Sequence, residues 1–94
     1  MLGNLEKALK YFEDETILFE ELYESNPQNV GFRNGLTISY IKLGLIYRDE
    51  KKDKKPAQKY FQNEKEIWEV LAYDFPAYVK FQNNLNVVIN VLND

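Results

Sequence analysis

The chain contains no cysteine and no histidine. Without cysteine there is no disulfide framework, no thiolate metal site and no thiol nucleophile. Without histidine, Ser-His-Asp triads, Glu-x-x-His metal motifs and imidazole general bases are excluded, so catalysis would have to rest on carboxylates, Tyr or Lys. Glycine is scarce, and none of Gly3, Gly31, Gly35 and Gly44 stands in a G-x-x-x-x-G-K-[ST] or G-x-G-x-x-G phosphate loop. No run approaches the roughly eighteen apolar residues of a membrane span, and the opening MLGNLEKALK lacks a basic stretch followed by an apolar one. Membrane insertion and secretion are disfavoured, and the expected location is cytoplasmic. Positive charge is scarce too. Twelve Lys and Arg stand against fifteen Asp and Glu, a net −3. Duplex nucleic acid draws its affinity mainly from Lys and Arg displacing condensed counterions, so it is not the expected partner.

What is present describes a small folded domain: 94 residues, 45% hydrophobic, 29% charged, with six Phe, seven Tyr and one Trp. A chain of this size buries only about 60–65% of the surface its unfolded form exposes. The most informative feature is an echo. ALKYF at residues 8–12 returns as AQKYF at residues 57–61, forty-nine positions later. Aligning residues 8–45 with 57–94 gives thirteen identities: Ala8, Lys10, Tyr11, Phe12, Glu15, Glu20, Leu22, Pro27, Val30, Phe32, Asn34, Leu36 and Leu43. Chance supplies roughly two or three. The chain is therefore an internal repeat.

Within each unit the apolar residues recur at helical spacing. Leu5, Ala8, Phe12, Phe19 and Leu22 share one face, and Ala57, Phe61, Ile67, Trp68, Leu71 and Phe75 trace its counterpart. Leu36, Tyr40, Leu43 and Tyr47 mark another helix, and Phe81, Leu85, Val88 and Leu92 repeat that spacing. Punctuation predicts helices over 4–25, 27–51, 54–74 and 76–93. Asn4, Asn26 and Asp53 are the expected N-caps, Pro27 and Pro76 start helices, and Pro56 is tolerated in a first turn. Short connections make neighbours antiparallel. Each hairpin leaves an apolar face that must be stacked on another. The expected fold class is all-α, with 1–94 as one domain.

These residues resemble the tetratricopeptide repeat (TPR) family. Leu43, Gly44 and Tyr47 match its Leu-Gly-x-x-Tyr, Ala57 and Phe61 its small and aromatic pair, and Pro76 its closing proline; in the preceding copy Gly3 matches the inter-helix glycine, Ala8 and Phe12 the small and aromatic pair, and Pro27 the closing proline. The family's usual period is about thirty-four residues. Here it is forty-nine, similar to the long-repeat variant found inside larger proteins. The resemblance implies antiparallel hairpins stacked as a right-handed solenoid, a role as a non-enzymatic scaffold or protein–protein interaction module, and a place within a longer array.

Nothing in the sequence gives chemistry a convincing address, and no cofactor or metal is expected. Glu13, Asp14, Glu15, Glu20, Glu21 and Glu24 lack the glycine-containing loop of a Ca²⁺ site and read as a solvated acidic face. Arg48, Lys51, Lys52, Lys54 and Lys55 are diluted by Asp49, Glu50 and Asp53 and read as a solvated inter-helix loop. Trp68 and most Tyr and Phe residues share faces with Leu and Ile, which makes them core rather than a base-stacking platform or aromatic cage.

In the family, the first helix of each hairpin lines the concave side. Carried over by position, this selects Asn34, Ile38, Ile41, Leu45 and Arg48 on the second helix, and Asn83, Val87, Asn90 and Asp94 on the fourth. Such a stripe could take a peptide's apolar side chains while Asn amides pair with its backbone. The alternative is burial against further repeats or another copy of the chain, giving a structural oligomerisation segment joined through open repeat ends. A third reading is a regulatory arm of a larger multidomain enzyme. The family's carboxylate clamp has no counterpart here, since Val87 and Val91 occupy the corresponding inner positions.

Overall fold

In the computed structural model, which describes residues 2–93, the chain is all-helical. Helix α1 covers Leu2–Ser25, α2 Val30–Leu45, α3 Lys54–Asp74 and α4 Val79–Leu92, and a π-helical turn, Ile46–Glu50, extends α2. Each helix packs on its neighbour in sequence: α1 on α2, α2 on α3, α3 on α4. Neighbours run antiparallel. Glu13 meets Tyr47 while Glu20 meets Tyr40 across α1 and α2, and Trp68 meets Phe81 while Phe61 meets Val88 across α3 and α4. Among the described residues no helix is long and apolar enough to cross a membrane.

The forty-nine-residue period holds in the backbone. α1 ends at Ser25 and α3 at Asp74; α2 begins at Val30 and α4 at Val79. The turns repeat bond for bond. Asn26 N–H donates to Leu22 and Asn29 N–H to Asn26, as Phe75 N–H donates to Leu71 and Tyr78 N–H to Phe75. These turns also displace the expected helix starts by three residues. Pro27 and Pro76 lie in the turns, and the N-caps are Asn29 and Tyr78. Asn29 Oδ1 accepts the Phe32 N–H at 3.0 Å, satisfying one otherwise unpaired first-turn amide. Tyr78 has no side chain able to do this, so Phe81 N–H bonds its carbonyl instead.

Asn4 departs from expectation, lying inside α1. Asp53 is the N-cap of α3 as expected, with extended backbone and no side-chain cap bond. α2 does not continue as an α-helix to 51. It widens after Leu45 into the π turn, with Lys51 N–H on the Ile46 carbonyl, and the chain leaves through Lys52 at φ 54°. That turn sets the Tyr47 ring on Tyr60, with centroids 5.9 Å apart and planes at 18°.

The core forms two joined clusters. Leu36, Tyr40, Ile67 and Leu71 make one, and Ala57, Phe61 and Val88 the other; Trp68 borders both. Two glycines allow the close approaches. A Cβ on Gly35 would stand 2.5 Å from the Phe19 ring of α1, and one on Gly44 2.6 Å from the Phe61 ring of α3. Only a residue without a side chain admits a ring there.

Candidate groove between the first helices of the two repeats

α2 and α4 flank α3, and the space between them is a groove of about 370 Å³. Asn34, Thr37, Ile38 and Ile41 form one wall, Lys80, Asn84 and Val87 the other. Its floor comes from α3, through Glu64 and Trp68. The i, i+3, i+4 spacing of each set puts it on one helical face.

The floor is the chemically distinctive part. Glu64 is buried, and its Oε2 accepts the Trp68 indole N–H at 2.9 Å one turn along the same helix. Burial raises its pKa above the ordinary carboxylate value, and the indole bond partly opposes that rise. The groove therefore combines aliphatic walls, two amides, and a buried acid whose pKa burial raises.

Of the residues selected from the sequence, the structure gathers Asn34, Ile38, Ile41 and Val87 around this groove. Leu45, Asn83 and Asn90 are exposed and do not line it. On α4 the lining ridge is Lys80–Asn84–Val87, one ridge over from Asn83–Val87–Asn90. Arg48 sits past the π turn, ion-paired to Asp49 at 2.7 Å, with its guanidinium 5.9 Å from the Phe61 ring centre. There it borders a second depression with Lys52, Lys54 and Val91. Asp94 lies outside the described residues.

Glu64, Trp68, Lys80, Asn84 and Thr37 were not selected from the sequence. One signal was present. The apolar stripe 57-61-64-68-71 of α3 carries a single acid, Glu64, just as 8-12-15-19-22 of α1 carries Glu15. An acid within an apolar stripe must find a donor or stay wet.

The acidic face of α1 also differs from the solvated surface expected. Glu13, Glu15 and Glu20 are half-buried and turn toward α2, where they accept from Tyr47, Ser39 and Tyr40 at 3.4, 3.4 and 2.7 Å. Asp14, Glu21 and Glu24 remain exposed. The tyrosines respond in kind. Burial, then the bond and charge of Glu20, hold the Tyr40 phenol far above its usual pKa, and burial together with nearby acids pushes Tyr60 up to about 12. Tyr40 and Tyr47 are the donors to these carboxylates, and they tie α1 to α2 and its π turn.

No family model matches the chain, and neither a curated protein nor a solved structure does.

Proposed function

We propose that this chain is a non-enzymatic interaction module, a TPR-like right-handed stack of helical hairpins, cytoplasmic, that binds an extended peptide segment of a partner protein between α2 and α4. The observation that carries this reading is the groove. Ile38, Ile41 and Val87 give it aliphatic walls without filling it, and Asn34 and Asn84 supply amides able to pair with both N–H and C=O of a peptide backbone. Ile38 and Val87 are exposed large aliphatics on facing elements, the arrangement that accommodates alternate side chains of a bound strand. The Gly44–Phe61 contact supports the family reading, because Gly44 and Phe61 are positions the TPR resemblance rests on.

The test is selection of peptides from a random display library on the folded domain, followed by titration against Ile38→Asp. Since Ile38 is exposed, the variant should melt like the parent. Selected peptides should bind it at least about tenfold more weakly, the loss expected when an apolar contact meets a charge. Peptides that bind parent and variant equally, or a library that yields none, would remove the groove from consideration.

A further inference from the structure

The helix stack ends at α1 on one side and α4 on the other, and both ends expose apolar side chains that the interior of the stack buries. α3 meets α2 through Tyr60, Phe61, Ile67 and Leu71. Forty-nine residues earlier α1 carries Tyr11, Phe12, Leu18 and Leu22. Ile67 is 8% exposed against α2, whereas its counterpart Leu18 is 53% exposed. α4 shows the complementary loss. Leu85, Ile89 and Leu92 stand where α2 has Leu36, Tyr40 and Leu43, all of which are buried, and each of the three is only partly covered.

We infer that the occupant of these faces is a second molecule of the same chain, with α1 of one molecule seating on α4 of the next as α3 seats on α2 within the chain. Two arguments select a second copy over an unrelated partner. The element that fits a face built like α2 is one built like α3, and α1 is that element, already exposed. The second argument lies in the positions that differ between template and ends.

Inside the chain, a groove of about 550 Å³ runs between α1 and α3 beside the α2 contact, and Glu24 and Glu66 both line it. The two ends carry Tyr73 at the position of Glu24 and Ile17 at the position of Glu66. Tyr73 borders a depression on α3 and α4 that is the half-formed equivalent of that groove, with Glu69 and Leu85 in the places of Glu20 and Leu36. Tyr73 is 86% and Ile17 54% exposed. So where the internal joint places two acids, the two ends present an aromatic and an aliphatic residue, one on each side of the joint they would form. An association between molecules, unlike one within a chain, must overcome lost translational and rotational freedom; Tyr73 and Ile17 work in that direction, offset in part by Glu21 and Asp14 at the positions of Val70 and Asn63 and by Ala72 at that of Tyr23. The match extends through Leu92. At the next residue, Asn93 replaces Gly44, so the joint between molecules lacks an equivalent of the Gly44–Phe61 contact.

Such a joint uses two different faces of the molecule, so it is heterologous and does not close after two copies. That gives a test specific to it. Leu18→Glu disables the α1 face and Ile89→Glu, at the position of Tyr40, the α4 face; Leu18 is exposed and Ile89 only partly covered, so both variants should keep the parent's melting curve. By light scattering over a wide range of concentration, the parent's average mass should climb past two chains. Each variant alone should stay at the 11.2 kDa of one chain. An equimolar mixture should stop at two chains, since one good α1 face and one good α4 face remain. If either variant melts early, Leu18→Gln or Ile89→Gln makes the same test on the same face. A parent that stays at one chain, a variant that still climbs, or a mixture that never pairs would each overturn the inference.

Discussion

The two repeats solve one problem in different ways. Each has an acid in the apolar stripe of its longer helix, and the acid and three residues around it correspond at the forty-nine-residue spacing: Glu15, Phe19, Gly35 and Ser39 in the first, Glu64, Trp68, Asn84 and Val88 in the second. In the first, the Ser39 hydroxyl of α2 donates to Glu15 of α1 at 3.4 Å, and the Phe19 ring lies against Gly35. In the second, Val88 has lost the hydroxyl and is 1% exposed, while Trp68 brings an indole N–H to Glu64 at 2.9 Å. A carboxylate moved out of water needs a donor, and the repeat keeps that requirement while changing its source. The consequence differs. The Ser39–Glu15 bond links two helices, whereas the Trp68–Glu64 bond stays within α3 and leaves its acid on the floor of the groove.

The comparison breaks most visibly at the leucines. Leu43 is completely buried between neighbours, and its counterpart Leu92 is only partly covered at the end of the stack. Leu43→Ala should therefore cost about 2–5 kcal/mol in urea unfolding, and Leu92→Ala less than half as much. Equal losses would mean that α4 is packed as fully as α2, against the exposure pattern that motivates the head-to-tail joint.

Importing second-repeat residues into the first sharpens it further. Gly35→Asn places a side chain where a Cβ alone would come within 2.5 Å of Phe19. The ring must move, and overpacking of this kind costs about 1–3 kcal/mol. Adding Phe19→Trp should recover at least half of that, because the Trp68 arrangement can then form: Glu15 is in place to accept, and Phe32 stands where Phe81 packs against Trp68. A double-mutant cycle with no positive coupling would show that the two sets of four residues are not interchangeable.

A smaller effect separates the tyrosine that links three helices from its apolar counterpart. Tyr40 donates to Glu20 at 2.7 Å and its ring lies 6.2 Å from Tyr60, while Ile89 holds that position in α4. Tyr40→Phe keeps the ring and removes the donor, so a loss of about 1 kcal/mol is expected by thermal or urea unfolding. A neutral outcome would assign the contribution to the ring alone.

How much of this was legible in the sequence follows from which interactions are periodic. Helix type and helix number come from apolar spacing, which every turn of helix restates, and antiparallel pairing from the short connections; the sequence predicts α3 over 54–74, where it lies. The starts of α2 and α4 were misplaced because Pro27 and Pro76 are compatible with both a helix's first turn and a tight turn. Nothing local distinguishes the two; the Asn29 cap on the Phe32 N–H does. The π turn depends on where Tyr47 and Arg48 find aromatic rings on α3, contacts that span the fold. The groove was half legible. Its walls follow helical periodicity, but its floor belongs to α3, whose Trp68 and Glu64 look like ordinary stripe residues until α2 and α4 are set on either side.

The smallest predicted effect has the opposite sign from the others and concerns that floor. Because burial raises the pKa of Glu64, the folded chain holds this proton more tightly than the unfolded chain does, and the charged form works against folding. The opposition is complete above the folded-state pKa, fades as pH falls through it, and is gone below the unfolded value near 4.5, where the group is neutral in both states. Gln at this position keeps an oxygen to accept the Trp68 N–H and removes the titration. Glu64→Gln should therefore melt higher than the parent at pH 7, with the gap closing toward pH 4.5 and absent below it. If the variant instead melts lower at pH 7, the charge on Glu64 strengthens the indole bond by more than burial costs, and the acid would be there to hold Trp68 rather than to face the groove.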